Sequence, residues 1–569
     1  MRLDLAGVAA SAALALLAAC GGGGGGGSST GGGSTVPGGG TNPGGSVTPA
    51  DPPVRVSSTS PFGQFCDGTL STVALYPGAE VEPQLAINPR NSNNLVGVWQ
   101  QDRWGNGSAR AIGVGVSTDG GTTWQTRAMP FSRCGGGTAQ NGGDYIRVSD
   151  PWVTFGPEGI VYQAALSSSG GSFQPGSINS ILASRSVDGG LTWSNPVPLI
   201  TDGGGFFNDK NSITADTTDP RFVYAVWDRL PAGSNSGPSY LARSVDRGVN
   251  WEAARPIYDP GSSAQTINNQ VVVLTDGTLV NFFTQLDVGA NSIVTASMAI
   301  VRSTDKGATW TGRVRITDVF SVGTRDPEAG TRVRDGTQLG SIAAGLQGSL
   351  HVAWQDGRAN GGVHDDVLYS RSLDGGLTWS SPVRVNAAPS VPAFTPTIAV
   401  RADGTVGITY YDFRSNTPDP LTLPTDYWLA RSSDGINWRE ARVAAAFDLA
   451  IAPNANGLFL GDYQGLGTIE NSFVPFFAQT GGGNLANPTD VWSVVSRNGS
   501  VATGDVSLKQ APVQRIGDDT PVRSYRAEPV ADGIATPALR RAAHDSIVNA
   551  MEARVPGWSA RSSAPLAPR

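Results

Sequence analysis

The sequence contains few charged residues and very few lysines, histidines and cysteines. Asp, Glu, Lys and Arg together make up 15% of its 569 residues, against about a quarter in a typical globular domain. Three residues are Lys and 37 are Arg, and the net charge is −7 with no Lys/Arg-rich run. This balance weighs against a nucleic-acid partner, because nucleic-acid binding depends on concentrated positive charge.

Motifs for metal binding and for histidine-based catalysis are also missing. The three histidines, His351, His364 and His544, form no HExxH motif, and no CxxC motif occurs. The sequence therefore predicts neither a zinc site nor a histidine triad. No metal ligands and no cofactor are predicted, although the many Asp residues in loop-like segments are compatible with a structural calcium ion.

Glycine, by contrast, is abundant, with 75 residues in the chain, and tryptophan occurs 14 times. Glycine at this level suits many tight turns between short strands and does not suit helix bundles or coiled coils. The composition therefore predicts an all-β protein.

The N-terminus has the pattern of an exported protein. Met1-Arg2 precedes an apolar run, rich in Ala and Leu, between Ala9 and Ala19. This run suits a signal peptide over residues 1–19 and is too short to span a bilayer as a mature helix. It ends in Leu17-Ala-Ala-Cys20, which resembles a bacterial lipobox and implies cleavage before Cys20 and lipidation of its sulfur. A plain signal peptide is the alternative.

Residues 20–50 are rich in Gly, Ser, Thr and Pro and are predicted to be a flexible tether without a core. Gly21 follows the cysteine in place of Asp, which by resemblance to bacterial lipoproteins implies the outer membrane. The sequence thus predicts a protein of the bacterial cell envelope whose one membrane contact is the lipid on Cys20. In that oxidising compartment Cys66 and Cys134 are predicted to form one disulfide, with two buried free thiols as the alternative.

A short motif occurs six times in the body of the sequence. Each copy runs from a Ser through an Asp to a Trp, as in Ser117-Thr-Asp-Gly-Gly-Thr-Thr-Trp124, and consecutive Trp residues are 58–69 residues apart. The Ser and Asp side chains can accept backbone N–H bonds within a tight turn, and the glycines supply its positive φ. A structural role is therefore predicted for the six motif carboxylates, Asp119, Asp188, Asp246, Asp305, Asp374 and Asp434.

This motif resembles the Asp-box, or bacterial neuraminidase repeat, and on it residues 80–500 resemble the sialidase superfamily of β-propellers. Each period of about 60 residues fits four short strands, which form one blade. A further unit follows the last box, with strand-like Phe473–Phe477 and Val491–Val495 and a degraded box at Ser496–Gly499. A β-propeller of seven four-stranded blades is predicted, closed by an N-terminal strand near Thr72–Leu75, whereas the resemblance implies six blades.

The propeller is predicted to occupy residues 51–511, because the periodicity stops there. Residues 512–569 are predicted to form a C-terminal tail that is partly helical or disordered. One amphipathic helix is indicated near Pro537–Arg554, where four apolar residues fall on one side: Leu539, Ala543, Ile547 and Met551.

A second repeated motif pairs an Asp with an Arg at the end of a predicted strand. It occurs four times, as Asp102–Arg103, Asp228–Arg229, Asp356–Arg358 and Asp412–Arg414. Four such pairs directed at one mouth of the propeller could bind a carboxylate, for which the arginine fork is suited. In the alternative, each Arg pairs with its neighbouring Asp and links adjacent blades.

In sialidases three arginines bind the carboxylate of sialic acid. The resemblance implies this substrate-binding role for Arg103, Arg358 and Arg414, which are assigned by their order along the chain. The sequence departs from the family pattern in one place. The Arg-Ile-Pro signature expected before the first box is absent, and Glu82-Pro-Gln-Leu stands there.

The resemblance also implies the catalytic residues. Sialidases use a Tyr nucleophile, because a carboxylate nucleophile would be repelled by the substrate's own carboxylate. Tyr463, in the glycine-flanked segment Gly461-Asp-Tyr-Gln-Gly465, is the predicted nucleophile. Glu328 is the predicted partner of Tyr463, and Asp102 the predicted acid/base. A buried structural role for Tyr463 is the alternative.

These assignments predict a surface-anchored, monomeric exo-α-sialidase-like glycoside hydrolase that acts on terminal sialic acids or related acidic sugars. Two other functions stay open. One is a non-catalytic propeller lipoprotein that binds a glycan or a protein, and the other is a scaffold or assembly factor of the envelope.

Overall fold

A computed structural model of the protein describes residues 53–289, 292–494, 523–530, 535–555 and 558. The predicted signal peptide, Cys20 and the tether lie outside these residues, as do the degraded box and part of the predicted tail. Within the described residues the chain is almost entirely β, with one α-helix, α1 (Pro537–Arg554). None of the described helices is long and apolar enough to cross a membrane. The all-β prediction is confirmed.

Most strands pair in antiparallel groups of four, which we call units and number along the chain. The first strand of the chain, β1 (Val54–Arg55), belongs to unit 7. The strands of unit 1 are β2 (Leu75–Ile87), β3 (Leu95–Trp104), β4 (Ala109–Ser117) and β5 (Gln125–Met129). Those of unit 2 are β6 (Arg147–Phe155), β7 (Val161–Ser169), β8 (Ile178–Ser186) and β9 (Val197–Gly203). Those of unit 3 are β10 (Phe206–Ala215), β11 (Val223–Pro231), β12 (Ser239–Ser244) and β13 (Arg255–Tyr258).

The later units follow the same plan. The strands of unit 4 are β14 (Ala264–Val273), β15 (Leu279–Val288), β16 (Val294–Ser303) and β17 (Val314–Val319). After β18 (Val333–Arg334), those of unit 5 are β19 (Ser341–Ala344), β20 (Leu350–Asp356), β21 (Asp366–Ser372) and β22 (Val383–Arg384). Those of unit 6 are β23 (Ala393–Val400), β24 (Val406–Asp412), β25 (Pro424–Ser432) and β26 (Asn437–Asp448). After β27 (Leu458–Phe459), unit 7 adds β28 (Gly465–Ile469), β29 (Ser472–Thr480) and β30 (Thr489–Ser493).

Four short strands lie outside the four-stranded plan. β18 and β27 pair with each other in parallel. Two C-terminal strands, β31 (Arg523–Arg526) and β32 (Glu528–Pro529), extend the outer edges of units 6 and 5. The chain after unit 7 therefore returns along units that were completed before it.

Each Asp-box forms the turn between the third and fourth strands of its unit. In unit 1 the Ser117 hydroxyl accepts a bond from the Gly121 amide at 2.8 Å, and Asp119 accepts from the Thr123 amide at 2.9 Å. Equivalent Ser and Asp bonds recur in the other five boxes. The polar side chains of the motif are thus used within the turn itself.

The first strands of the units contact one another in succession. The order is β2, β6, β10, β14, β19, β23 and β28, and β28 also contacts β2. Unit 7 takes its fourth strand from the start of the propeller region, because Val54 and Arg55 pair with Ser493 and Trp492 of β30. The closing strand therefore differs from the predicted segment near Thr72–Leu75; Leu75 begins β2, the first strand of unit 1.

The core lies between the units and continues into the C-terminal helix. Its largest cluster of buried apolar side chains runs from unit 2 to unit 5 and includes Ile547 and Met551 of α1. α1 follows the cap residue Thr536, whose hydroxyl accepts a bond from the Leu539 amide at 3.1 Å. It occupies the segment in which the sequence indicates an amphipathic helix, and Leu539, Ala543, Ile547 and Met551 are all buried.

One disulfide joins the segments that flank unit 1. Cys66 precedes β2, Cys134 follows β5, and their sulfurs are bonded to each other. The loop closed by this bond spans 68 residues of sequence.

Candidate functional site

The first strands of five units carry the same irregularity. In each of them two residues oppose a single residue of the second strand, which is a β-bulge. The first bulge residue in each case has a positive φ although it is not glycine; these residues are Glu82, Asp150, Lys210, Asn268 and Thr395. A bulge redirects its side chain away from the regular pleat, so several units send polar groups in a direction that a plain strand would not allow.

Three of these bulge residues, together with Asp462, meet where the first strands come together. Lys210 Nζ of unit 3 lies 2.7 Å from Asp150 Oδ1 of unit 2, 2.8 Å from Asp462 Oδ2 and 3.4 Å from Glu82 Oε1 of unit 1. Asp462 directly precedes unit 7, so four units contribute to one contact. Each of the four side chains is at most 5% exposed. We call Glu82, Asp150, Lys210 and Asp462 the axial cluster.

Two buried arginines adjoin the axial cluster. Arg334 Nη2 lies 3.0 Å from Asp462 Oδ2, and the guanidinium groups of Arg103 and Arg334 lie 4.7 and 4.5 Å from the centre of the same ring, Phe459. Arg103 donates to Gln100, which in turn donates to Glu82. Among the described residues Arg103 makes no ion pair, and its Nε has no hydrogen-bond partner.

Tyr463 lies half-buried beside the axial cluster. Its hydroxyl donates to the Pro151 carbonyl at 3.4 Å, its ring meets Trp152 edge-on at 5.3 Å, and Lys210 Nζ lies 5.4 Å from the ring centre. Burial, followed by the charges of Glu82 and Asp150, raises the pKa of Tyr463 well above its ordinary value. The phenol is therefore protonated at neutral pH, and a nucleophilic role would require a base beside it.

The environment separates the pKa values of the carboxyl groups. Burial raises the pKa of Glu82 to about 7, against the opposing effect of Lys210. Burial acts in the same direction on Asp462, but the charges of Arg334, Arg554 and Lys210 hold the pKa of that carboxyl well below its usual range. Burial and the charge of Asp150 raise the pKa of Asp209 to about 7. Neighbouring carboxyls with separated pKa values are what acid–base chemistry at neutral pH requires.

Burial and the neighbouring charge of Arg334 lower the pKa of Arg103 to about 10. A guanidinium that is buried, unpaired and close to another cation is stabilised by a nearby anion. The charges of Glu82, Asp462 and Asp150 act in the opposite direction and raise the pKa of Arg103, as a further negative group beside it would.

The structure brings only two of the predicted site residues, Arg103 and Tyr463, to the axial cluster. Asp102 is fully buried and accepts bonds from the Ser60 hydroxyl at 2.7 Å and the Gly78 amide at 3.0 Å. The Asp102 side chain therefore links unit 1 to the segment around Ser60, which precedes unit 1 in the chain.

Arg358 and Arg414 each pair with the neighbouring Asp of their own unit, and Arg358 also donates to Thr317 Oγ1 at 3.2 Å and to the Asp318 carbonyl, both in β17 of unit 4. Arg358 pairs with Asp356 at 2.9 Å, and Arg414 pairs with Asp412 and with Glu440, each at 2.6 Å. Of the two interpretations of the repeated Asp–Arg motif, these contacts favour local pairing in units 5 and 6. In unit 3 the pattern differs, because Arg229 pairs with Asp202 at 2.7 Å and not with Asp228.

Glu328, the predicted partner of Tyr463, accepts a bond from Asn416 at 2.6 Å. It lines a groove of about 850 Å³ together with Arg325, His364, Phe413, Arg414 and Ala542 of α1, among others. Glu328 and Arg414 thus share a groove with each other and not with the axial cluster. Glu82 and Asp150 are the carboxylates beside Tyr463.

The sequence contained a pattern that marks Glu82 and Asp150, two site residues that the sequence analysis did not assign. Glu82-Pro83, Asp150-Pro151 and Thr395-Pro396 occupy the same bulge position in the first strands of units 1, 2 and 6. Glu82 stands where the resemblance leads one to expect arginine, and Lys210 is one of only three lysines. Aligning the first strands of the units at the residue before this proline would have identified Glu82 and Asp150 as equivalent positions.

The C-terminal helix covers the axial cluster. Arg554 at the end of α1 places its guanidinium 3.4 Å from both carboxylate oxygens of Asp462 and 3.2 Å from Gln338 Oε1. Beyond the helix, the Trp558 indole donates to Gln265 Oε1 at 2.7 Å. The side chain of Arg554 is 2% exposed, so the cluster is closed on this side by the chain's own C-terminal segment.

Comparisons with known proteins give distant similarities. No family model matches the chain. A curated xyloglucanase from Paenibacillus is 29% identical over 312 residues, which cover 49% of this chain and 27% of that protein. The chain therefore matches only about a quarter of the length of this curated relative.

Solved structures with a distant similarity to the chain include sialidases and another glycosidase. A Hadza microbial sialidase has a TM-score of 0.40 at 17% identity and covers 71% of this chain and 74% of its own. The leech intramolecular trans-sialidase has a TM-score of 0.40 at 14% identity, with 63% and 68% covered. An α-L-arabinofuranosidase from Fusarium graminearum has a TM-score of 0.38 at 14% identity, with 58% and 88% covered.

Proposed function

We propose that the protein is a glycoside hydrolase that acts at the axial cluster on a terminal sugar bearing a carboxylate, in the manner of an exo-α-sialidase. The observation that carries the proposal is the meeting of Tyr463 with Glu82, Asp150 and the buried cation Arg103. A tyrosine beside a carboxyl of pKa about 7 and an unpaired arginine fits attack on an acidic sugar.

The proposed roles follow from charge and position. Arg103, supported by Arg334, binds the carboxylate of the sugar, and Glu82 receives the phenolic proton as Tyr463 Oη attacks the anomeric carbon. A carboxyl that is protonated near neutral pH, for which Asp209 is suited, protonates the leaving oxygen. Water then cleaves the bond between Tyr463 and the sugar.

The test is hydrolysis of a fluorogenic sialoside, with fluorogenic glycosides of other acidic sugars, by the purified protein. Tyr463→Phe is expected to lower kcat by about 100-fold or more, since it removes the attacking oxygen. Tyr258→Phe removes a part-buried hydroxyl that bonds Gln285 in unit 4 and is the matched control, expected to match the parent. Turnover that survives Tyr463→Phe would place the chemistry elsewhere.

A glycan-binding propeller without catalysis is the second candidate. It is favoured by the low exposure of the axial cluster and by the open groove of about 850 Å³ that contains Glu328 and Arg414. A glycan array probed with the parent and with Arg414→Ala separates the two candidates, because only groove binding depends on Arg414. Envelope scaffolding is the remaining alternative from the sequence.

We also propose that the seven units form a closed seven-bladed propeller, supported by the succession of first-strand contacts and by the pairing of β1 with β30. The lipobox-like sequence supports a bacterial lipoprotein that is cleaved after a signal peptide and anchored through Cys20, and Gly21 supports the outer membrane. Cys20→Ala is expected to move the protein from the membrane fraction to the soluble fraction. An unchanged distribution would remove the lipid anchor from the proposal.

A further inference from the structure

The C-terminal helix rests on the propeller by an apolar face. Its large apolar side chains there are Leu539, Ile547, Met551 and the partly buried Val548, and Val555 and Trp558 just after the helix are buried in the same cluster. Ile547 and Met551 join the same core cluster as Leu286, Val294 and other residues of unit 4. The helix packs by one face, whereas β16 beneath it is hydrogen-bonded to a strand on either side, so the helix opens at a lower free energy than the strands of unit 4.

The polar contacts of α1 follow the loops and strand ends around the axial cluster. The amide of Val294, at the start of β16, donates to His544 Nδ1 at 3.0 Å. Arg332 donates to the Asn549 carbonyl at 3.2 Å, and Arg554 reaches Asp462 itself. The helix therefore extends from unit 4, past Arg332 just before β18, to the axial cluster.

Arg554 is a surplus cation at Asp462. Lys210 and Arg334 already lie 2.8 and 3.0 Å from the Asp462 carboxylate, whereas the closest approach of Arg554 is 3.4 Å. Charge-assisted hydrogen bonds between such groups are about 2.7–2.9 Å long when strong. Removal of Arg554 thus leaves Asp462 fully paired, which is not so for Lys210 or Arg334.

The chain before α1 stays paired with the propeller when α1 moves away from the axial cluster. β31 pairs with β26 and β32 pairs with β22, so the chain before α1 is fixed to the outer edges of units 6 and 5. Of the described residues after β32, it is α1 that reaches the axial cluster, through Arg554. The attachment therefore holds the helix near its seat in either state.

We propose that α1 is an inhibitory lid that closes the axial cluster, with Arg554 as the contact that seats it. The proposal rests on the function proposed for the axial cluster, because a sugar reaches Arg103 and Tyr463 only after α1 moves aside. Opening exposes Asp462 and increases the exposure of Tyr463, which is half-buried when α1 is seated, and closing returns the Arg554 guanidinium to Asp462.

The test compares three variants of the full chain. Ile547→Asp places a charge in the buried seat of the helix, and Arg554→Ala removes the contact with Asp462. Arg541→Ala is the matched control, because Arg541 lies on the same helix with its side chain 67% exposed. Hydroxyl-radical footprinting by mass spectrometry reads the exposure of Tyr463, and hydrogen exchange reads α1 and the strands of unit 4 separately.

We expect Ile547→Asp and Arg554→Ala to raise the labelling of Tyr463 at least several-fold while the amides of unit 4 remain protected, and Arg541→Ala to match the parent. Sialoside turnover is expected to rise about 10-fold or more in the first two variants. If α1 exchanges freely and Tyr463 labelling does not rise, or if turnover of an active parent does not rise, the lid is refuted. Increased labelling without turnover of any glycoside supports the cover over the cluster and refutes the proposed hydrolase.

Discussion

Lys210 occupies an unusual position for a lysine, with a φ of 47° on a bulge and a side chain only 5% exposed. The carboxylates of Asp150, Asp462 and Glu82 raise its pKa, although burial acts to lower it. Holding a charged group in this way costs both backbone strain and desolvation. Lys210 of unit 3 finds its partners in units 1 and 2 and in the segment before unit 7, so the pairing that offsets this cost forms only when these units have assembled.

Replacement of Lys210 by Met is expected to lower the free energy of unfolding by about 3–5 kcal/mol, because three buried carboxyl groups lose their shared cation. Urea unfolding followed by tryptophan fluorescence measures this. Lys306→Met is the control: Lys306 also has a positive φ and pairs with one carboxylate, Asp216, at 2.9 Å, but is 27% exposed. Its loss should cost about 1 kcal/mol or less, and equal losses for the two variants would contradict the central role of Lys210.

Asp209 makes stability depend on pH. The pKa of Asp209 is about 7 in the folded protein, against an ordinary value of 3.8, so the folded state holds this proton more tightly than the unfolded state does. Its contribution to stability is complete below about pH 4 and is lost as the pH rises through about 7. Asp209→Asn is expected to flatten that part of the profile of Tm against pH, whereas Asp259→Asn in an exposed loop should leave the slope unchanged. The same slope in all three proteins would show that Asp209 does not retain its proton.

At the scale of elements, the Asp-box turn and the first-strand bulge differ in which residues their side chains contact. The Asp-box is a local device, since its Ser, Asp and backbone partners lie within eight residues. The bulge of the first strand is formed by adjacent residues of the chain, but its side chain contacts residues of other units. The Asp-box lies at one end of the strands, since in unit 1 Ser117 pairs with Leu95, whereas the bulge lies within β2, between the pairs Val81–Gln100 and Gln84–Val98.

Asp119→Ala is expected to lower the free energy of unfolding by about 1–2 kcal/mol, because the Asp119 carboxylate accepts bonds from Ser117 and from both the amide and hydroxyl of Thr123. Chemical denaturation measures this loss. Substrate turnover should be unchanged, since the box lies far along the strand from Arg103. Gln125→Ala on the adjoining exposed strand is the control for stability, and a loss of turnover with Asp119→Ala would contradict the separation of turn from site.

At the scale of the whole molecule, the pairing of β1 with the last unit joins the two ends of the propeller region. Unit 7 is completed by β1, whose neighbour Val56 is 3% exposed and donates its amide to the Val491 carbonyl at 2.8 Å. The Arg55 guanidinium also pairs with Asp490. The first and last strands of the propeller region therefore share one unit, so that loss of either end affects both.

A chain that begins at residue 61 lacks β1 and is expected to be less stable than a chain that begins at residue 51 by at least about 2 kcal/mol, since it loses strand pairing and a buried valine. Urea unfolding of the two soluble proteins gives the comparison. Hydrogen exchange should rise first in β30, the strand that β1 covers. Equal stability of the two chains would mean that β1 does not close unit 7.

The sequence by itself determined the all-β class and the repeating turns, because side-chain spacing within one box is enough to form its hydrogen bonds. It also indicated the helix at Pro537–Arg554, since an amphipathic pattern is periodic in sequence. Only the tertiary structure decided the site. Arg358 and Arg414 follow their Asp partners so closely that local ion pairs hold them, whereas Lys210, Asp462 and Arg554 meet from distant parts of the chain. The burial and the pKa of each of these groups depend on which side chains lie near it in space, and the packing of the units around the ring determines those neighbours.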